Sequence, residues 1–201
     1  RRHERRRGAE HEKVGHFDPV TFDAKAESLG VNKAKKNWNS VGDHAPAYLI
    51  NLYLATGDEN YGRFLEDTFD TICDHFPDYG YSPFMNEKFF DDWSHDLKWG
   101  IHQARCVVGH NLKVAWNLTR MHSLMPKESY KTFAHQIADA IPAAGCDNQR
   151  GGWYDMMERT LKDGEENYRR VWHDRKAWWQ QEQGILAYYI MAGVYNDKPE
   201  Y

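Results

Sequence analysis

The chain has few cysteines, no long hydrophobic run and little net charge. Its three cysteines, Cys73, Cys106 and Cys146, are far apart and form no C-x-x-C pair, which argues against a disulfide framework and a structural zinc site. No apolar run could span a bilayer, and no secretory signal opens the chain. The net charge of −4 favours neither nucleic acid nor an anionic membrane. We therefore expect a cytoplasmic protein that binds neither of them.

Aromatic side chains are abundant instead. They make up 14% of the chain and include 8 tryptophans. Buried aromatic rings explain part of this content, but a planar ring is also the natural floor for the apolar C–H face of a sugar. With 201 residues and 41% hydrophobic residues, the chain can form one large domain or part of a larger one.

The charge pattern divides the chain into two segments. Residues 1–36 are predicted to be a charged N-terminal segment that includes one short helix over 21–29. Arginines cluster at its beginning without interleaved aromatic residues, so a phosphate-binding arm is not favoured. Residues 37–201 are predicted to form one helical domain.

Apolar periodicity predicts that this domain consists of helix pairs. Residues 44–56 are almost continuously apolar and precede Gly57, which predicts a buried helix with Pro46 in its first turn. Asp58 is the predicted N-cap of a second, amphipathic helix that stops at Pro77. Further helices are predicted over residues 106–125, 127–141 and 176–193.

Two loop regions interrupt the helices. Residues 77–100 are rich in glycine, proline, aspartate and aromatic residues and predict a long loop. The turn signal at residues 162–164 predicts a small two-stranded excursion over 152–173.

The buried helices begin at a regular interval. Their starts, near His44, His110 and Trp178, recur about every 65 residues, as expected for a repeat of helical hairpins. Hairpins with one buried and one half-exposed helix close into an inner and an outer ring. The sequence therefore predicts an all-α toroid whose cavity is lined by the starts of the inner helices.

Three segments resemble the N-acylglucosamine 2-epimerase and cellobiose 2-epimerase superfamily. Residues 44–53 read H-A-P-A-Y-L-I-N-L-Y, similar to H-x-x-E-A-Y-x-N-L-Y, and residues 109–116 read G-H-N-L-K-V-A-W, similar to G-H-x-x-E-x-x-W. Residues 178–183 read W-W-Q-Q-E-Q, similar to W-W-x-Q-x-E, and follow a G-G-W-Y at 151–154. The resemblance implies an (α/α)6 barrel, of which residues 37–201 are the middle part.

The chain departs from these motifs at all three glutamates. Their positions hold Ala47, Lys113 and Gln183, while both motif histidines are kept. Glu182 adjoins the last position, but neighbouring residues on a helix point about 100° apart, so it cannot simply substitute. A later segment that carries another catalytic histidine in the family has no counterpart here.

The resemblance implies proton transfer at C2 of an opened sugar, as a carbohydrate 2-epimerase or aldose–ketose isomerase. His110 would be one acid/base, because imidazole titrates near neutrality. His44 would bind or polarise substrate oxygens, and Lys113 would stabilise an oxyanion. No cofactor or metal is implied, the partner is a mono- or oligosaccharide, and a homo-oligomer stays open. The implied sugar contacts are Lys113, Trp153, Trp178, Gln181 and Gln183.

Other interpretations of these residues stay open. Tryptophans 116 and 179 are more often core residues than sugar platforms, and buried glutamines can simply cap backbone groups. A glycoside hydrolase or lyase would need two carboxylates across a cavity, and a non-catalytic sugar-binding or assembly module would need none. The available carboxylates are Asp92, Asp96, Asp155 and Glu182. A cluster of Asp92, His95, Asp96 and His102 lacks any metal-ligand spacing.

Overall fold

The computed structural model describes residues 35–97 and 104–196. The helix predicted over 21–29 lies outside these residues. The described elements are the strands β1 (Lys35–Asn37), β2 (Lys88–Phe90), β3 (Arg105–Val107) and β4 (Met156–Glu158), and the helices α1 (Asn39–Thr56), α2 (Glu59–His75), α3 (Val108–Leu124), α4 (Glu128–Gly145) and α5 (Trp178–Tyr195). The predominantly helical fold is thus confirmed. No helix within the described ranges is both long and apolar enough to cross a membrane.

The chain divides into two compact units. The first contains β1, α1, the start of α2 as far as Leu65, and β2. The second contains the remainder of α2, the β3–β4 pair and the helices α3, α4 and α5. The prediction of one domain over residues 37–201 stays a prediction.

Helix α1 is longer than its sequence pattern predicted. It begins at Asn39, so Pro46 lies inside the helix and the prediction that Pro46 occupies the first turn was wrong. The side chain of Asn37 accepts the N–H of Asn39 (3.1 Å), whereas Trp38, the N-cap residue, makes no side-chain hydrogen bond to the helix. The helix ends as predicted at Gly57, whose φ of 63° and N–H bond to the Tyr53 carbonyl form a left-handed C-cap.

Helix α2 follows its predicted boundaries closely. The Asp58 carboxylate accepts the N–H of Asn60 (2.9 Å), which confirms Asp58 as the N-capping residue. The buried residues of the predicted stripe are Leu65, Phe69, Ile72 and Phe76.

Helix α3 is the centre of the second unit. It packs against both α4 and α5, and most of its length is buried. The starts of α1, α3 and α5 are spaced by about 70 residues, close to the predicted repeat of helical hairpins. The buried apolar residues that α3 contributes include Val108, Leu112, Val114, Leu118 and Met121.

Two short antiparallel strand pairs flank the helices. Lys36 pairs with Phe89 in β1–β2, and Cys106 pairs with Met157 in β3–β4. The excursion predicted over 152–173 is present: β4 is its outgoing arm, an isolated bridge joins Met157 to Arg170, and the N–H of Glu165 closes a turn on the Lys162 carbonyl (3.0 Å). The pairing of β4 with β3, which lies about fifty residues earlier, was not predicted.

A buried arginine fixes the loop that follows α2. The guanidinium of Arg159 donates to the Asp78 carboxylate (2.7 Å) and to the carbonyls of Phe84 and Met85. Both Arg159 and Asp78 side chains are almost fully buried, so the guanidinium compensates the carboxylate and the two carbonyls.

Candidate functional site

The first turn of α3 carries His110 and is capped from another helix. Val107, the N-cap residue, contributes no side-chain hydrogen bond. Instead the N–H of Gly109 donates to the Gln180 side-chain oxygen on α5 (2.6 Å), and the N–H of Val108 approaches the Asp155 carbonyl (3.3 Å). Tertiary contacts thus satisfy two of the helix's unpaired N–H groups and fix the turn that bears His110.

Gln180 connects this turn to the segment before β4. The residue is only 1% exposed. Its side-chain nitrogen donates to the carbonyl of Asp155 (3.1 Å) and also to the Asp155 carboxylate. Because donor and acceptor are both used, the carboxamide bridges Asp155 to the start of α3.

Gly109 is required by the close approach of α5. A Cβ atom there would lie 2.6 Å from Gln180 Cγ and 2.6 Å from Trp179 Cζ3. The same indole contacts His110, with ring centroids 5.8 Å apart. His110 is 7% exposed, so the imidazole is a buried polar group beside an indole. Its neighbour Lys113 is half-buried, three residues further along α3 and on the same helix face.

The G-G-W-Y segment positions Trp153 against α5. The Gln181 side-chain oxygen accepts the Trp153 N–H (2.7 Å), and its side-chain nitrogen donates to the carbonyls of Trp153 (2.9 Å) and Ala177 (3.0 Å). The indole of Trp153 stacks on Tyr188 at a centroid distance of 5.9 Å and an interplanar angle of 7°. Gly184 lies beneath it, where a Cβ would approach Trp153 Cδ1 to 2.6 Å. Trp153 is therefore held at both its backbone and its ring.

A buried carboxylate holds the turn that precedes Trp153. Gly151 and Gly152 adopt φ values of 74° and 84°, which favour glycine. The Asp147 carboxylate accepts hydrogen bonds from Lys176 Nζ (2.7 Å) and from the N–H groups of Gln149 and Arg150. The hydrogen bond from Lys176 is the main reason that the pKa of Asp147 lies well below its usual range.

Gln183 stands at the glutamate position of the third motif, W-W-x-Q-x-E, and forms a hydrogen bond with a tryptophan. Its side-chain oxygen accepts the indole N–H of Trp116 (2.8 Å). Trp116 is buried, as the core interpretation predicted, and its polar atom is satisfied by this bond.

The other predicted site residues have different surroundings. Trp178 begins α5 and is 72% exposed, and Glu182 is also exposed. His44 lies on α1 in the first unit and is exposed, whereas the other predicted site residues, from Lys113 to Gln183, share the second unit with His110. Of these predicted site residues, Gln181 and Trp153 are joined by hydrogen bonds. The roles that the sequence predicts for them in substrate binding stay predictions.

The described residues group no metal ligands, and the Cys73 thiol is not reactive. Within 35–97 and 104–196, no three His, Cys, Asp or Glu side chains are grouped so that they could hold a metal ion. His102 lies outside these ranges. Burial, followed by the charge of Asp70, raises the pKa of the Cys73 thiol to about 12, which leaves it unreactive at neutral pH.

Proteins similar to this chain are found only among solved structures. No family model and no curated protein matches the chain. Cellobiose 2-epimerase from Spirochaeta thermophila aligns with a TM-score of 0.62, 15% identity and coverage of 83% of this chain and 40% of that one. D-mannose isomerase aligns with a TM-score of 0.62 and 21% identity, and the alignment covers 82% of this chain and 40% of that one. Cellobiose 2-epimerase from Bacillus thermoamylovorans aligns with a TM-score of 0.63 and 12% identity, and the alignment covers 82% of this chain and 41% of that one.

The chain shares the fold of the matching part of these three structures. The predicted resemblance and the (α/α)6-barrel class are thereby confirmed at the level of fold. The chain spans about two fifths of the length of these barrels. Fold alone does not fix an activity, because the reaction depends on the residues of the site.

The sequence motifs do not single out Gln180 and Gly184. The signal that could have found them is that each interrupts the apolar pattern of α5 on the side that is buried. The sequence marks Asp155 only as one of the carboxylates that hydrolysis would need. The structure instead gives its carboxylate a hydrogen bond from Gln180.

Proposed function

We propose that the chain is part of a carbohydrate 2-epimerase or aldose–ketose isomerase in which His110 transfers the C2 proton. The fold likeness to cellobiose 2-epimerases and a D-mannose isomerase supports a mono- or oligosaccharide substrate. The observation that carries the proposal is the buried imidazole of His110 in a helical turn that Gln180 fixes from α5. We also retain the cytoplasmic prediction, which the three free cysteines support.

The proposed reaction begins with the open-chain aldose. A ring nitrogen of His110 removes the proton from C2, the electron pair forms a C1–C2 double bond, and O1 gains the negative charge. Return of a proton to the opposite face of C2, from an acid other than His110, gives the 2-epimer. In the isomerase reaction the O2 proton moves to O1, the electron pair of the O2–H bond forms the C2–O2 double bond, and the C1–C2 π electrons take a proton at C1, which gives the ketose.

The remaining residues receive supporting roles in this proposal. Lys113 supplies a positive charge toward O1, and His44 binds or polarises a substrate oxygen. Trp153 and Trp178 are proposed as platforms for sugar rings. Because the Gln181 carboxamide and the Gln183 oxygen already make bonds within the chain, we assign the sugar hydroxyl contact to the Gln183 amide nitrogen.

Preorganisation supports His110 over other candidates. A proton-transfer group must be held close to its productive geometry by its surroundings. The first turn of α3 meets this requirement through Gln180, Asp155 and the indole of Trp179. Glu182 has no comparable setting, because it is exposed on α5.

The experiment is solvent exchange at C2. The protein is incubated in D2O with D-mannose, D-glucose or cellobiose, and deuterium at C2 is followed by proton NMR. We expect incorporation with at least one sugar and a loss of about 10³-fold in the His110→Asn variant. The exposed His173 provides the matched control, His173→Asn, which should exchange at the wild-type rate. Exchange that is unchanged in His110→Asn would contradict the proposal.

A sugar-binding module without catalysis is the second candidate. The observations in its favour are that all three motif glutamate positions are changed, to Ala47, Lys113 and Gln183, and that the Gln183 oxygen is bonded to Trp116. This candidate predicts calorimetric binding of a saccharide with no C2 exchange and no effect of His110→Asn. The hydrolase alternative predicts release of reducing ends, which the same NMR spectra would show.

A further inference from the structure

Trp172 is an exposed tryptophan that lies outside the three epimerase-like motifs and the G-G-W-Y segment. It is 65% exposed, although indole is among the most strongly buried side chains on average. It lies near the end of the excursion over 152–173, six residues before Trp178. Nothing in the proposed reaction uses it.

The backbone at Trp172 is strained. Its φ is 65°, a value that is uncommon for any residue other than glycine and exceptional for a bulky one. The N–H of His173 donates to the carbonyl of Val171 (2.8 Å), so Trp172 is the central residue of a tight three-residue turn. Such strain persists where the surrounding structure imposes it and clusters at ligand-binding positions.

One face of the Trp172 ring is covered by an arginine. The Arg105 guanidinium carbon lies 5.3 Å from the ring centroid. Arg105 is itself paired with the Glu158 carboxylate (3.6 Å) across the β3–β4 ladder. The guanidinium is thereby held against the indole, which orients the ring as a fixed platform.

This platform lies near the start of α3. The N–H of Val171 donates to the Met156 carbonyl (2.9 Å), and Met156 pairs with Val107, the residue that precedes α3. Adjacent strands lie about 4.8 Å apart, so Trp172 stands on the order of 10 Å from the segment that leads to His110. His110 lies three residues after Val107, so a saccharide of two or more rings is needed to reach from His110 to Trp172.

We propose that Trp172 is a second sugar subsite, which binds the ring beyond the one that reacts and makes the preferred ligand a disaccharide or longer saccharide. This inference rests on the proposed function for the location of the first ring. The indole stacks on the apolar face of the second ring, while Arg105 and Glu158 fix the indole from behind.

The test compares monosaccharides with their own disaccharides by titration calorimetry. The probes are D-glucose with cellobiose, and D-mannose with β-1,4-mannobiose. In the wild type we expect one disaccharide to bind about 5- to 10-fold more tightly than its monosaccharide. Trp172→Ala should remove this preference without changing the monosaccharide Kd, and Trp172→Phe should keep part of it. Tyr81, an aromatic residue that is even more exposed, supplies the control, because Tyr81→Ala should keep the full preference.

The outcomes separate this inference from the proposed function. A preference that survives Trp172→Ala, an equal loss for both sugars, or no preference in the wild type would overturn the subsite. C2 exchange with an intact preference in Trp172→Ala would overturn the subsite alone. A Trp172-dependent preference without C2 exchange in the wild type would support the subsite and overturn the epimerase.

Discussion

Two helices carry a histidine from the epimerase motifs, and the two imidazoles have different surroundings. His110, in the first turn of α3, is buried beside the Trp179 indole, and α5 caps its turn. His44, in the second turn of α1, is exposed, as is Tyr48 one turn further on. Both lie in similar short motifs. The difference shows that a motif gives a residue's position on a helix, whereas its burial depends on what the neighbouring chain supplies.

The surroundings of His110 depend on a face of α5 that carries three glutamines and one glycine. We call it the α5 contact surface and define it by Gln180, Gln181, Gln183 and Gly184. Each member contacts α3 or the Trp153 segment in the second unit. Changes to this surface should therefore weaken the packing and hydrogen bonds that hold the turn of His110.

The largest effect is expected from Gly184→Ala. The added Cβ would overlap the Trp153 indole, with Cδ1 at 2.6 Å, so either the ring or the helix must move. Overpacking of this kind should lower the free energy of unfolding by about 3 kcal/mol. Urea denaturation followed by circular dichroism measures the change.

The matched control lies on the same helix. A Cβ at Gly193 meets nothing within 4 Å. Gly193→Ala should raise the free energy of unfolding by about 0.5–1 kcal/mol, because alanine is the better helix former. Equal effects of the two substitutions would show that Trp153 is not confined by α5.

A smaller effect is expected from Gln180→Leu. The substitution keeps the side-chain size but leaves the Gly109 N–H and the Asp155 carbonyl without their buried partner. The expected loss is about 2 kcal/mol in the free energy of unfolding. Glu182→Leu, on the exposed side of α5, should change it by less than about 0.5 kcal/mol. If Gln180→Leu were as mild as this control, the cap on α3 would have no energetic role.

The smallest effect concerns acid pH. Lys176 lowers the pKa of Asp147, so the folded state holds this carboxylate ionised more strongly than the unfolded chain does. The resulting stabilisation is complete above the unfolded pKa of about 3.9, declines as the pH falls below it, and is gone below the folded pKa. The difference in unfolding free energy between wild type and Asp147→Asn should therefore shrink from pH 6 to pH 2.

Lys176→Met tests the cause of this pH dependence. Because the Lys176 ammonium makes the strongest bond to the Asp147 carboxylate, its removal should abolish most of the acid-dependent difference. An undiminished pH dependence in Lys176→Met would assign the low pKa to the N–H groups of Gln149 and Arg150 instead.

The sequence predicted the helices, their repeat and the fold because these follow from local periodicity and three short motifs. It placed the start of α1 too late because the apolar run begins only near residue 44, whereas the helix itself begins at Asn39. It also missed the β3–β4 pair and the bond from Gln180 to Gly109. Both join residues that are far apart in the sequence, and no local pattern specifies such partners.

The most direct test of the central claim compares His110→Asn with His44→Asn in the C2 exchange experiment. If the buried imidazole transfers the proton and the exposed one only contacts substrate oxygens, His110→Asn should slow deuterium incorporation by about 10³-fold and His44→Asn by no more than about tenfold. Equal losses in the two variants, or a greater loss in His44→Asn, would contradict the account.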